Sequence, residues 1–435
     1  MVETNVLILD NGASTIKVGY AGLPETLQLF PNCKLTRSKG DRKNFIADQL
    51  SFCEDFSGVQ YRLPFEKGFL TNWEVEKAIW DRIFSAEVLK CDPLSTSLLV
   101  TEPCFNLPNI QKTYDEMIFE VYEFKSACRV IAPWFCIQND TGSLYEGPLY
   151  EEQTDQPDCV LVVDSGYSFT HIVPFVMGRP IFPAIRRINI GGKLLTNHLK
   201  EIVSFRYWDM MDQTYVMNEV KETCCYVSQD FLGDLETCRK NMRDNPILRE
   251  YVLPDFSRNK KGFIRFKKSR ESNAINFAAA SSSSSSTTNI ILPEEQALFM
   301  NNERFSVPEL LFNPSDIGMS QAGIPEVIVE AINATHPDLH GLFYSNIVLV
   351  GGNSMFAGYK ERVEKDLRVL APSMYDVRVG MPEDPISYAW HGGSKFARTS
   401  EYREKLVTRR EYLEYGSNIC LRRFGMGEEI AEIDD

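Results

Sequence analysis

Val6-Leu7-Ile8-Leu9-Asp10-Asn11-Gly12-Ala13-Ser14 recurs later in the same chain as Val160-Leu161-Val162-Val163-Asp164-Ser165-Gly166-Tyr167-Ser168. In each copy a buried apolar strand delivers an aspartate and a glycine to a tight turn, and a second apolar run follows that can fold back as a hairpin. The glycine is expected to tolerate positive φ and to let backbone N–H groups approach an anion, while the carboxylate holds a hydrated cation. A single such turn is more often an ordinary hairpin with Asp and Gly at its tip. Two copies, one near the start of each half, point to a duplicated fold whose halves face each other and close on a polyphosphate from both sides.

The bulk properties narrow the alternatives. A chain of 435 residues exceeds what one hydrophobic core serves, so two lobes are expected, and 43% hydrophobic content is ordinary for a globular protein. No run reaches the roughly 20 apolar residues of a membrane span, and Met1-Val2-Glu3-Thr4 lacks a basic and apolar signal region, so a protein retained inside the cell is expected. The eleven cysteines include an adjacent Cys224-Cys225 but no C-x-x-C pair, which argues for reduced, mostly buried thiols rather than disulfides or zinc. Only five histidines are present and none lies in a nucleophile motif, so cysteine-based catalysis has no support. A net charge of −14 opposes broad affinity for nucleic acid and leaves basic partners such as histones compatible, although a solvated acidic surface is its default meaning.

Along the chain, Trp73 to Trp80 has the apolar spacing of a helix packed on a sheet, Ser97 to Val100 reads as a strand, and Ile110 to Tyr122 reads as a second helix. An acidic stretch from Gln138 to Asp158 reads as a surface loop and a lobe boundary. Ile190-Gly191-Gly192-Lys193-Leu194 reads as a turn leading into a helix. Arg258 to Arg270 is basic with interleaved aromatics, and six serines run from Ser281 to Ser286. Ser257 to Asn289 is therefore read as a disordered or partner-ordered insertion, more often a solvated linker than a contact to acidic partners or DNA. A third glycine motif, Gly351-Gly352-Asn353-Ser354-Met355-Phe356, sits where the strand Asn346 to Val350 meets a helix through Val363. Small residues there let a flat base or a phosphate reach the backbone, and close packing is the competing explanation.

At this point the residues resemble a known family, the actins and actin-related proteins, over nearly the whole chain. Asp10-Asn11-Gly12 with Lys17 is similar to its first phosphate loop, Asp164-Ser165-Gly166 with Thr170-His171 to its second, and Gly351-Gly352 with Met355 to its adenosine loop. Lys67-Gly68-Phe69-Leu70-Thr71-Asn72-Trp73, Thr101-Glu102-Pro103, Asn302-Glu303-Arg304-Phe305 and Trp390-His391-Gly392-Gly393 follow in the family's order. The resemblance implies an α/β, actin-like (actin/hexokinase-type) duplicated two-lobe ATPase fold with a central nucleotide cleft. It implies a first-lobe base from 1–31, 64–150 and 388–435 with a small outer subdomain from 32–63, and a second-lobe base from 151–190 and 301–387 with an outer subdomain from 191–300.

Carried over by position, the resemblance implies ATP or ADP with magnesium as cofactors. Asp10 and Asp164 would orient water around the metal, and Gly12, Lys17 and Gly166 would hold the β and γ phosphates. Lys221 and Glu222 would lie beside the ribose and adenine, with Gly192, Gly351, Gly352, Met355 and Phe356 lining the rest of the base pocket. Away from the family, a lysine and a glutamate on a helix are usually a solvated pair.

The departures from the family pattern argue against catalysis. Hydrolysis needs a residue that positions water in line with the γ-phosphate, which actin supplies as a glutamine; here that position is Ala132, whose side chain cannot hydrogen-bond water. His171 persists near the expected water. Tyr167 replaces an aspartate, Ala13 a serine, and Ile386 a lysine beside the adenine. Pro31 to Pro64 lacks the apolar loop tip that actin uses in filaments, and Lys67 replaces a histidine, so no homofilament is expected.

Finer features, including Leu253-Pro254-Asp255-Phe256 and Asn313-Pro314-Ser315-Asp316-Ile317-Gly318, resemble one branch of the actin-related proteins. That resemblance implies a non-catalytic structural subunit of a nuclear SWR-type chromatin-remodelling complex, which exchanges a core histone for its variant form. Its expected partners are the Swi/Snf-like remodeller motor and a zinc-finger HIT-type subunit, with histones or the nucleosome contacted indirectly, no membrane, and a nuclear location with a cytoplasmic pool. The alternatives are an active ATPase or sugar kinase of the same fold superfamily, with Asp164 as the candidate base, and a cytoplasmic filament protein.

Overall fold

Both copies of the repeated motif fold as antiparallel hairpins in the computed structural model, which describes residues 5–37, 43–54, 56, 59–145, 156–241, 244–256, 259–265 and 295–425. Strand β1 (Val6–Asn11) pairs with β2 (Thr15–Tyr20) so that Asp10 lies opposite Lys17. With β3 (Gln28–Pro31), β4 (Ser97–Glu102) and β5 (Ser126–Ile131) they form a six-stranded sheet, ordered from the edge strand Val407–Thr408 through β5, β4, β1 and β2 to β3. In the second sheet β6 (Cys159–Ser165) pairs with β7 (Thr170–Val176), and Asp164 lies opposite His171.

The duplication extends to the hydrogen-bond pattern. β1 has β2 antiparallel on one side and β4 parallel on the other, and β6 has β7 antiparallel on one side and β8 (Ile347–Val350) parallel on the other. Strands flanked in this way are covered on both faces, which is why Val6 to Leu9 and Val160 to Val163 are continuous apolar runs rather than alternating ones.

Helices then cover the sheets. The helix α1 (Trp73–Phe84) starts at Asn72, whose Oδ1 accepts from the Val75 amide at 3.2 Å, and buries Val75, Ile79, Trp80 and Ile83. α2 (Pro108–Glu116) has proline in its first turn and continues into a π-type turn over Met117–Val121. α3 (Ala132–Cys136) follows β5 directly, and α4 (Gly192–Arg206) begins at the second glycine of its Gly-Gly pair. One core cluster joins Ile8 and Leu99 of the first sheet to Val162 and Val348 of the second through Trp134, Phe135 and Trp390.

Packing divides the chain into two compact units. The first comprises Met1–Cys53, Gly58–Leu195 and Glu309–Asp435 and contains both six-stranded sheets; the second comprises Glu54–Ser57 and Thr196–Pro308. The second unit holds α5 (Thr214–Cys224) and a three-stranded antiparallel sheet with Arg249–Val252 between Phe263–Arg265 and Ala297–Met300. Within it, Phe56 stacks on Tyr215 with ring centroids 4.2 Å apart.

One expectation is corrected here. Phe263–Arg265, read from the sequence as part of an unstructured insertion, is a strand in register with Tyr251 opposite Ile264, and Arg265 pairs with Glu250 at 2.7 Å. Phe263 and Ile264 are aromatic and β-branched residues of the kind that favour a strand. Ser257, Arg258 and residues 266–289 of that reading, and residues 146–155 of the acidic loop, lie outside the described residues. All eleven cysteines are free, and nine of them are buried. Among the described residues no helix is long and apolar enough to cross a membrane.

The helix Tyr388–Phe396 packs on α3 through adjacent glycines that differ in their room. A Cβ on Gly392 would overlap the Phe135 carbonyl, whereas one on Gly393 would lie 3.2 Å from Ile8 Cγ2. Gly392→Ala should therefore cost about 2–4 kcal/mol. Gly393→Ala should stay within about 1 kcal/mol, because helix propensity offsets the tighter contact. Urea midpoints check this, and equal midpoints for the two variants would contradict the packing.

Candidate nucleotide site

The first turn is fixed from its parallel neighbour. Thr101, near the end of β4, donates from Oγ1 to Asp10 Oδ1 at 2.8 Å and accepts the Asn11 amide at 2.9 Å. Across the hairpin Lys17 Nζ lies 3.0 Å from Asp10 Oδ2, with both side chains largely buried. The Gly12 amide donates back to the Asp10 carbonyl at 3.1 Å, and the Gly12 carbonyl accepts from Asn32 Nδ2 at 3.0 Å. A Cβ on Gly12 would stand 2.7 Å from the Thr15 carbonyl and 3.3 Å from Lys17 Nζ. Glycine is thus required because the turn is narrow. The expected positive φ occurs at neither Gly12 nor Gly166.

The second turn is held from two directions. Its Gly166 amide donates to the Phe169 carbonyl at 2.9 Å, and the Gly166 and Tyr167 carbonyls accept from the amides of Gly192 and Lys193 at 3.1 and 2.8 Å. A Cβ on Gly191 would come within 2.6 Å of the Tyr167 carbonyl. On the other side Gly351 adopts φ 91°, and a Cβ there would meet Asp164 Oδ1 at 2.9 Å, so this glycine carries the positive-φ requirement. Asn353, itself buried, ties the third motif to the second by donating from Nδ2 to the Gly166 carbonyl at 2.8 Å and to Ser165 Oγ at 3.2 Å.

These contacts bring Asp10, Gly12, Lys17, Asp164, Gly166, Gly192 and Gly351 into one unit, and their charges interact. The Asp164 carboxyl is pushed up to about 6, chiefly by burial and further by the charge of Asp10, with Lys17 acting in the opposite sense. Two acids opposed by one ammonium favour a divalent cation between them. The imidazole of His171, opposite Asp164 in the register, is driven down to about 4 by burial and then by Arg187, so it is neutral at pH 7. Its Nε2 is buried without a hydrogen-bond partner. Glycines with no room for a side chain, facing acids and a buried unpaired ring nitrogen fit a magnesium-bound nucleotide. The acids would hold the metal through water, and Lys17 with the turn amides would hold phosphate oxygens. When bound, the metal neutralises charge on the phosphates.

Ala132 opens α3 beside this pair. The Cys136 thiol donates to the Ala132 carbonyl at 3.7 Å, and that thiol is raised well above its usual range by burial and then by Asp164 and Asp10. The alanine's apolar side chain packs against the core, one helical turn from the thiol that senses both acids.

Other expected site residues differ in their settings. Lys221 and Glu222 belong to the second unit, where the buried Lys221 ammonium donates to Thr196 Oγ1 at 3.0 Å and Asn218 Oδ1 at 2.9 Å, and exposed Glu222 accepts from Asn218 Nδ2 at 2.7 Å. Met355 is exposed, Phe356 is buried, and a Cβ on Gly352 would meet nothing, so packing does not require the second glycine of that pair. Sequence reasoning assigned no role to Thr101, Asn32 or Asn353, although Thr101 and Asn353 lie inside motifs it quoted. A short polar residue at the end of a buried strand was the available signal.

Comparison with known proteins agrees with this geometry. The family described as Actin matches residues 1–425. The chain belongs to the actin family, whose fold binds nucleotide. It is similar to the Actin-like protein ARP6 of Cryptococcus neoformans var. neoformans, at 45% identity over 98% of this chain and 85% of that protein. It is also similar to Actin-related protein 6 of Dictyostelium discoideum, at 38% over 97% of this chain and 94% of the relative, and to Actin-related protein 6 of Drosophila melanogaster, at 37% over 94% and 97%.

The His171 environment has a direct test. Its ring should titrate in the folded protein near pH 4 by nuclear magnetic resonance, and a midpoint near 6.5 would contradict the buried setting. Because the folded value is depressed, His171 contributes stability that is present above about pH 6.5 and lost as pH falls toward 4. Thr101→Val, which removes the Asp10 anchor, should cost about 1–3 kcal/mol in urea unfolding and weaken any magnesium-dependent ligand binding.

Proposed function

We propose that the chain is a structural subunit that holds ATP or ADP with magnesium as a stabilising ligand and does not turn it over appreciably. The observation that supports this reading is that Ala132 opens α3, the position where the family resemblance expects a water-positioning glutamine, in a unit whose two acidic turns are otherwise equipped for a nucleotide. The turns supply the cation site and the phosphate cradle, while the group that would aim a hydrolytic water is a methyl. Buried, neutral His171 lacks the setting of a general base, because protonating it where it sits is unfavourable. A ligand that binds only the folded state raises stability by mass action without any turnover.

The branch resemblance and the similarity to proteins named actin-related protein 6 support a more specific reading. The chain acts in a nuclear SWR-type chromatin-remodelling complex that exchanges a core histone for its variant form, beside the Swi/Snf-like motor and a zinc-finger HIT-type subunit, with histones contacted indirectly. It forms no homofilament and engages no membrane.

Two measurements test the two levels. Purified protein should retain nucleotide through gel filtration yet release phosphate no faster than an Asp10→Ala/Asp164→Ala variant. Magnesium-dependent release well above that control, or ATP consumption on adding glucose or glycerol, would favour the ATPase or kinase instead. Affinity purification followed by mass spectrometry should recover the remodeller motor and the zinc-finger subunit, and recovery of neither would reject the assembly assignment.

A further inference from the structure

The second unit carries an aromatic surface that the nucleotide site does not use. Where α4 ends and the chain turns toward α5, the sequence runs Phe205-Arg206-Tyr207-Trp208-Asp209-Met210-Met211-Asp212. Phe205 is 93% exposed, and Trp208 and Met211 are exposed as well. Scattered exposed apolar residues are ordinary on a protein surface, but a close group of them, one an almost bare phenylalanine, marks a place where something docks. Aromatic residues and methionine are the kinds enriched where one protein packs on another.

The loop is pinned so that these side chains stay outward. Met210, between the exposed residues, is buried, and its amide donates to Ser204 Oγ at 2.9 Å. The buried Lys200 folds the loop back on α4, donating from Nζ to the Met211 carbonyl at 3.1 Å and to Thr214 Oγ1 at 3.0 Å. Tyr207 donates from its hydroxyl to the Phe299 carbonyl at 2.9 Å, which ties the loop to the edge strand Ala297–Met300, and its ring meets that of Trp208 edge-on with centroids 5.7 Å apart. Arg206 donates to the buried Glu303 at 2.7 Å, and Asp209 Oδ1 accepts from the Met211 amide at 2.9 Å. A surface ordered in this way loses little conformational freedom when a partner arrives.

The charges around it have one sign. Glu201, one helical turn before Phe205, is exposed and lies 4.0 Å from His198, whose ring burial keeps neutral at pH 7. Asp209 and Asp212 are exposed and make no ion pair among the described residues. Both bases of this stretch are engaged, Lys200 with the loop and Arg206 with Glu303. An acidic rim around an aromatic centre repels nucleic-acid phosphates and anionic lipid headgroups, and it attracts a cationic chain that carries apolar side chains of its own.

We propose that this surface docks a basic, amphipathic segment of another protein, whose apolar side chains pack on Phe205, Trp208 and Met211 while its lysines or arginines face Glu201, Asp209 and Asp212. The docking requires no bound nucleotide and stands apart from the assembly proposed above.

Two experiments test it. By fluorescence anisotropy the full chain should bind a labelled helical peptide of about 15 residues, with leucines on one face and lysines on the other. A counterpart with glutamate for every lysine, and a lysine-rich peptide without leucine, should each bind at least about tenfold more weakly. Phe205→Ser, which leaves the charge unchanged, should weaken the basic peptide about tenfold with little change in unfolding midpoint. Glu201→Lys/Asp212→Lys should weaken it and flatten its salt dependence. Equal binding of the acidic and basic helices, or undiminished binding by Phe205→Ser, would overturn the proposal. In cells, a photo-crosslinking benzoylphenylalanine at position 205 of the full chain should capture a segment of another protein that is rich in lysine or arginine. Capture of a second copy of this chain, of nucleic acid or of an acidic segment, or no crosslink at all, would overturn it too. Recovery of the remodeller motor without that crosslink would leave the assembly reading standing and remove this one.

Discussion

Lys17 holds Asp10 at 3.0 Å across the first hairpin, and the same ammonium opposes the mutual repulsion of Asp10 and Asp164. Asp164 lies where charge is costly, and burial together with the charge of Asp10 raises it toward 6. One ammonium set against two carboxylates leaves the pair short of positive charge, a setting that fits a further cation. The rest of the unit serves to keep these groups at their stations: Thr101 pins Asp10, Asn32 pins Gly12, Asn353 pins Gly166, and Gly351 lets its strand end come close enough to touch Asp164.

The positions are symmetric and the chemistry is not. Asp10 and Asp164 occupy equivalent places in equivalent hairpins, yet the residue opposite is Lys17 in one and His171 in the other. In the proposed site Lys17 would contribute to phosphate binding, whereas a buried neutral imidazole leaves the second acid less compensated. With Ala132 opening α3, the arrangement fits the proposed retention of an anion and its metal without a side chain to aim a water molecule.

Much of this was legible in the sequence, because the strongest signals are local. The repeated apolar strand with its Asp-x-Gly turn determines both hairpins, and the Gly-Gly pair after Val350 locates the third motif. Other parts were not legible for identifiable reasons. The need for glycine at position 12 comes from the Thr15 carbonyl and Lys17 approaching the turn, a steric fact no φ preference reveals. Asn353 bonds to Gly166 and Thr101 to Asp10 across separations that no local pattern records. Phe263 to Arg265 joined a sheet because a partner strand with Tyr251 was available, although its neighbours in sequence are low in complexity.

Thermal unfolding with and without Mg·ADP tests most directly whether the two acids form one cation-dependent nucleotide site. At a ligand concentration of about one hundred times its dissociation constant, Mg·ADP should add about 2.7 kcal/mol. ADP with a chelator should add much less, and Asp164→Asn should remove most of the magnesium-dependent gain. Identical unfolding temperatures with and without Mg·ADP, or a gain indifferent to Asp164, would contradict the account.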